Sequence, residues 1–194
     1  MRKPWLVLLA VLALGALAFA VLRRPYPSDR TPEGAYMRIA RSVSDDKIEA
    51  IFPYLETDAQ WASFTIRDMR AKAYTRIKAS YPEPERARLL AAYGEEASAA
   101  DGPDVFALFA KRKGWVDRLR KDLSGVVKTE ISGDRASVVT ARGTRYPFRL
   151  RDNKIWGLTI FTAALMAESE RASRDLAVVN AAADDYDRAS KPAP

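Results

Sequence analysis

The sequence predicts an α+β domain: several N-terminal helices packed on a four-stranded antiparallel meander, followed by a long C-terminal helix. Three observations predict it. Residues 31–124 repeat apolar side chains at helical spacing, residues 126–161 repeat them at every second position, and from Thr162 the helical period returns. Each half then has one apolar face to bury, and helices laid over one face of an antiparallel sheet bury both.

Thr31-Pro32-Glu33 opens the first helix with a capping hydroxyl, a proline where no N–H is needed, and an acid at the positive end of the dipole. Its stripe is Tyr36, Ile39, Ala40 and Val43. Ser44-Asp45-Asp46 caps a short helix carrying Ile48, Ile51, Phe52 and Leu55, and Pro53 limits its run. A longer helix from about Asp58 to Ser80 aligns Ala62, Ile66, Met69, Ala73 and Ile77, with Trp61, Phe64 and Tyr74 adjoining, until Tyr81-Pro82 ends it. Pro84 begins another through Leu89, Leu90 and Tyr93, with Gly94 as its C-cap and Glu95 to Asp104 as a loop. Asp104 then caps a helix with Val105, Phe106, Leu108 and Phe109, and Gly114 separates it from one bearing Trp115, Val116, Leu119 and Leu123.

After Gly125 the period becomes two. Val127, Thr129 and Ile131 alternate with Lys128 and Glu130, and Ser132-Gly133-Asp134 turns the chain toward Ala136, Val138 and Thr140. Gly143 turns it again. Tyr146, Phe148 and Leu150 then face one way and Arg145, Arg149 and Arg151 the other, before Trp156, Leu158 and Ile160. Pro147 cannot donate a ladder hydrogen bond, so its strand is expected at an edge or with a bulge. The last helix runs from Thr162 to about Arg188 on Leu165, Met166, Ala172, Leu176 and Val179, and residues 189–194 read as a flexible tail.

Composition excludes much chemistry. The 194 residues hold no Cys and no His, which removes disulfides, Cys/His zinc sites, thiol nucleophiles and Ser-His-Asp triads. No G-x-G-x-x-G or G-x-x-x-x-G-K loop is present, so no phosphate-bearing cofactor is expected, nor a metal. Of the 32 bases, four lie in residues 1–24 beside no acid, leaving 28 bases against 25 acids elsewhere. That near balance argues against nucleic-acid binding, which needs many uncompensated cations on one face.

Residues 1–24 read as a leader: Arg2-Lys3, an uncharged apolar run from Trp5 to Leu22, then Arg23-Arg24. Eighteen residues in a helix span about 27 Å, close to the roughly 30 Å of bilayer hydrocarbon. Ala16-Leu17-Ala18 and Ala18-Phe19-Ala20 fit a signal-peptide cleavage pattern, whereas the length of the run and the basic stop favour an uncleaved anchor. Either form sends residues 25–194 out of the cytoplasm, into the periplasm or beyond, with residues 25–30 as a spacer and 31–188 as one domain. The membrane is thus the first expected partner, through residues 5–22.

The opening Thr31-Pro32-Glu33, the run Gly133-Asp134-x-Ala136-x-Val138, then Tyr146-x-Phe148 and Ile155-Trp156 resemble the NTF2-like superfamily, the cystatin-like α+β cones, and in particular its small exported domains. The resemblance covers the first helices and residues 126–161. A long helical insertion over residues 58–124 and a helix after the sheet depart from the common pattern. The resemblance implies a pocket between sheet and helices, and a superfamily that includes isomerases, dehydratases and non-catalytic binding or assembly domains.

Such a pocket would draw its walls from Trp61, Tyr74, Trp115, Tyr146, Phe148 and Trp156, whose ordinary alternative use is to fill the core. Catalytic members of the superfamily commonly use Asp, Tyr or His in the pocket. Here no acid falls on the inward face of a strand, and Asp68 and Asp117 lie on helices. Arg145, Arg149 and Arg151 form a basic outward row that could meet an acidic partner or anionic headgroups. The apolar side of the last helix is longer than the sheet needs and could carry a protein partner or a second copy. The expectation is therefore a membrane-anchored, non-catalytic binding or assembly domain of the cell envelope, with a small-molecule enzyme or a scaffold of a membrane complex as alternatives.

Overall fold

The computed structural model describes residues 27–190. In chain order it has α1 (Pro32–Ser44), a 3-10 helix (Ile48–Tyr54), α2 (Thr57–Ser80), α3 (Glu85–Ala97), α4 (Gly102–Arg112) and α5 (Trp115–Asp122). Then come β1 (Val126–Ser132), β2 (Arg135–Thr140), β3 (Arg145–Leu150), β4 (Trp156–Leu158) and α6 (Thr162–Ala189). The protein is α+β, with its helices, sheet and long last helix in the expected order. The leader over residues 1–24 lies outside the described residues, as do residues 191–194. Among the described residues, no helix is long and apolar enough to cross a membrane.

Local chemistry sets the helix starts. The Thr31 hydroxyl accepts the Gly34 N–H at 3.1 Å and donates to the Ser28 carbonyl at 2.7 Å. Glycine is required at position 34, because a Cβ there would stand 2.0 Å from the Ser28 carbonyl oxygen. The cap of α4 is Asp101 rather than Asp104: its carboxylate accepts the Asp104 N–H at 3.3 Å, and Asp104 in turn reaches back to the Ala100 N–H at 3.1 Å. Gly94 does not end α3, which continues through Ala97 because Glu96 is gripped from two sides, as described below.

The sheet has the order β1-β2-β3-β4, all antiparallel. Gly133, at φ 60°, makes the two-residue turn between β1 and β2. Pro147 overturns the edge-or-bulge expectation, since β3 lies between β2 and β4 with unbroken register. The reason is the shortness of β4: its ladder starts at Phe148 opposite Leu158, and Pro147 contributes only its carbonyl, which takes the Thr159 N–H at 3.1 Å. The β4 side is covered, with Leu55 bridging Leu158 and the Glu56 N–H donating to the Leu158 carbonyl at 3.1 Å. At Gly157 the two backbones nearly touch; a Cβ there would lie 2.7 Å from the Glu56 Cα. The β1 side has no neighbouring strand among the described residues.

Two apolar clusters form. The larger joins α1, the 3-10 helix, the first half of α2, α4, α5, the start of α6 and the inner sheet face through Ile39, Ile66, Phe106, Val138, Phe148 and Leu165. The smaller holds the second half of α2 to α3 and α6 through Ala73, Ile77, Tyr81, Val179 and Ala183. Contacts of Glu56 with Thr162, Arg70 with Asp175 and Tyr81 with Tyr186 show that α2 and α6 run parallel for most of their length. The part of α6 that outruns the sheet therefore covers its apolar side with α2 and α3.

Candidate binding cleft

The expected pocket aromatics are dispersed. Trp61 is 66 % exposed on α2 and leans on Phe64, itself 40 % exposed. Tyr74, also on α2, is half-buried against α3 at Gly94. Phe148 and Trp156 are buried in the larger cluster, and the Trp156 indole donates to the Arg30 carbonyl at 3.1 Å, fastening the chain before α1 to the sheet. Trp115 and Tyr146 do come together. With Phe161, which stacks on Trp115 at 4.7 Å between centroids, they line a recess of about 230 Å³ that also includes Asp122 and Arg145.

Tyr146 is 3 % exposed and its hydroxyl has no hydrogen-bond partner among the described residues. Its ring lies 5.1 Å from that of Tyr36, whose own hydroxyl donates to the Ser124 carbonyl at 2.8 Å and accepts the Ser124 N–H at 3.1 Å. Burial, and then the neighbouring Tyr36 and Asp122, push the Tyr146 phenol up to about 12.

The arginine row is engaged within the chain. Arg145 donates to Glu130 at 2.8 Å, and hydrogen bonds from Lys128 and Arg145 lower the Glu130 carboxyl to about 2. Arg149 joins Asp134 at 3.3 Å to the buried Glu56 at 3.2 Å, and Glu56 accepts the Thr162 hydroxyl at 2.7 Å. Arg151 donates to two neutral acceptors, the Pro53 carbonyl at 2.6 Å and the Gln60 amide oxygen at 3.1 Å. Burial pushes its guanidinium pKa down. Asp68 and Asp117 stand exposed on their helices, as their sequence positions allow.

A larger concavity lies elsewhere. An open cleft of about 800 Å³ runs along α4, bounded on one side by the end of α3 and on the other by α5 and the start of the 3-10 helix. Its floor is a single stripe of α4, Asp104, Ala107, Leu108 and Lys111, at i, i+3, i+4 and i+7. Ile48, Ala99 and Val116 extend that floor. Five acids line the cleft, Asp46, Glu49, Glu95, Asp104 and Asp117, against two bases, Lys111 and Arg120. Some of that charge is bound internally: Asp46 meets Arg120 at 2.9 Å, and Glu95 meets Arg112 at 2.7 Å. Asp117 also stands 3.7 Å from Arg120, and it and Glu49 are exposed on the rim. The exposed Trp61–Phe64 pair flanks one end, for Phe64 lies against Gly102, two residues from the cleft-lining Ala100.

The cleft's framework depends on residues that periodicity did not single out. Arg70, buried on α2, donates to Glu96 of α3 at 2.9 Å and to Asp175 of α6 at 2.7 Å, with the Tyr93 ring 4.2 Å from its guanidinium carbon. Arg112 of α4 takes the other Glu96 oxygen at 2.7 Å. Four helices thus share one ion cluster. A signal for it was present in the sequence, since Arg70 interrupts the apolar row of Ile66, Ala73 and Ile77. Among the described residues there is no group of acids placed to hold a metal ion. No family model matches the chain, nor does any curated protein or any solved structure.

Proposed function

We propose that this is a non-catalytic binding and assembly domain, carried outside the cytoplasm on its N-terminal anchor, whose α4 cleft receives a basic amphipathic segment of a partner protein. The observation that carries the reading is the cleft: a floor one helix-face wide with Ala107 and Leu108 at its middle, Ile48, Ala99 and Val116 beside them, and an excess of acids in the lining. An apolar stripe on the partner would cover Ala107, Leu108 and Val116, while flanking Lys or Arg would meet Glu49 and Asp117. An open trough suits a helix or extended peptide better than a small molecule, which needs most of its surface enclosed. The exposed Trp61–Phe64 pair adds the aromatic surface that protein contacts favour. Membership of the NTF2-like superfamily is part of the proposal, supported by helices packed on one face of a four-stranded antiparallel meander.

The test is fluorescence anisotropy with a labelled helical peptide of Leu and Lys at i, i+3, i+4 spacing. The wild type should bind saturably and more weakly as salt rises. Glu49→Lys with Asp117→Lys should weaken binding by about tenfold, the equivalent of about 1.4 kcal/mol. Binding that ignores both salt and the double substitution would remove the reading.

A small-molecule enzyme of isomerase or dehydratase type is the second reading, and one observation favours it. Tyr146, whose buried hydroxyl has no partner among the described residues, and Asp122 both line the recess of about 230 Å³.

A further inference from the structure

We infer that β1 is a homodimerisation edge, which pairs antiparallel with β1 of a second copy about a twofold axis through Thr129. The strand is the open side of the sheet, so one row of its N–H and C=O groups meets no strand among the described residues. Its exposed surface is also unusually apolar: Val127 is 70 % and Ile131 60 % exposed. The pairing of Ile131 with Ala136 and of Thr129 with Val138 puts Ile131 and Thr129 on the inner sheet face, while Val127 has no partner on β2.

The sequence of the strand identifies the occupant. Val127-Lys128-Thr129-Glu130-Ile131 is palindromic in character: apolar, positive, Thr, negative, apolar. Centred on Thr129, an antiparallel pair sets Val127 opposite Ile131 of the other copy, Lys128 opposite Glu130, and Thr129 opposite Thr129. Each is a favourable cross-strand pair, and the twofold axis makes the Val127–Ile131 and Lys128–Glu130 pairs occur twice, with the Thr129 pair on the axis itself. Neighbouring registers are penalised. Centring on Lys128 opposes two ammonium groups, and centring on Glu130 opposes two carboxylates. The charged groups are already held in place, because Glu130 accepts from Lys128 at 2.9 Å and from Arg145 at 2.8 Å. The irregularity between Val126 and Lys128 makes Val127 the extra residue on the β2 side, so the regular centre of the proposed pair is Lys128-Thr129-Glu130, with Val127 and Ile131 closing it at either end. A lone edge strand needs protection from open-ended association, and a closed twofold pair supplies it.

The absence of cysteine gives a direct test. Full-length Thr129→Cys carries a single thiol on the proposed axis, where cross-strand Cα atoms about 4.5–5.5 Å apart permit a disulfide between copies. Mild oxidation in membranes or detergent should convert it to a species of twice the mass, at least tenfold faster than the exposed controls Lys154→Cys and Ser132→Cys. Cross-linking no faster than the controls would overturn the proposal. Charge exchange provides a second arm that leaves the strand's centre untouched. Lys128→Glu and Glu130→Lys chains should each be monomeric in sedimentation and should form a one-to-one heterodimer when mixed. Monomers that stay apart on mixing, or dimers unaffected by either substitution, would also overturn it.

Discussion

Tyr146 concentrates much of the chemistry of the core in one atom. Its ring fills space between Tyr36 and the inner sheet face, yet its hydroxyl gives up water and gains no partner among the described residues. A buried hydroxyl without a hydrogen bond costs on the order of 1–3 kcal/mol, so Tyr146→Phe should raise stability by about 1 kcal/mol in urea unfolding. A loss of stability instead would mean that the hydroxyl has a partner in solution, and would strengthen the ligand-recess reading. Glu130 makes the opposite case on the surface. Its folded-state carboxyl lies at about 2, below the ordinary 4.5, because the charged form is held by Lys128 and Arg145. Its stabilising contribution is therefore fully present above pH 4.5 and lost as the pH falls toward 2. Glu130→Gln should flatten the pH dependence of the melting temperature in that window, and added salt should shrink the difference, because the group is exposed.

Between elements, the strongest constraint is polar. Along α2 the chain passes from the larger apolar cluster at Ile66 to the smaller one at Ala73, and Arg70 sits between them. Leucine there would be cheaper to bury, but it would not select a register; the guanidinium fits only where Glu96, Asp175 and the Tyr93 ring all face it. Arg70→Ala strands the buried Glu96 carboxylate with Arg112 alone and should cost about 3–5 kcal/mol in denaturant unfolding. Arg70→Met combined with Glu96→Leu should recover most of that loss, since it removes both buried charges. If the double substitution were as unstable as Arg70→Ala, the cost would reside in packing rather than in the uncompensated ion. Pro147 shows the same dependence on neighbours: propensity places proline at an edge, while the brevity of β4 makes a central position tolerable.

Across the whole molecule, the α+β class, the order of elements and most core positions were legible in the sequence, because periods of 3.6 and 2 report which side chains share a face. Of the six aromatics expected around one pocket, only Trp115 and Tyr146 line a common recess, since periodicity does not say which helix residue meets which strand residue. The α4 cleft was not legible, since it forms where the ends of α3, α5 and the 3-10 helix converge on a helix face that is neither apolar nor polar throughout. The partners of Arg149 and Arg151 were equally hidden: Glu56 and Gln60 are some ninety residues away, and no local pattern announces a contact of that range. By itself, the sequence determined the class, the helix caps at Thr31, the turn at Gly133 and the chemistry that a chain without Cys and His forgoes, all of which depend on near neighbours or on residue identity. Only the tertiary structure decided that α2 and α6 run parallel around Arg70, that β4 is covered while β1 stays open, and that a cleft of about 800 Å³ lies outside the sheet. Those features are set by which distant surfaces meet, and burial and charge pairing act on that choice only after the chain has closed on itself.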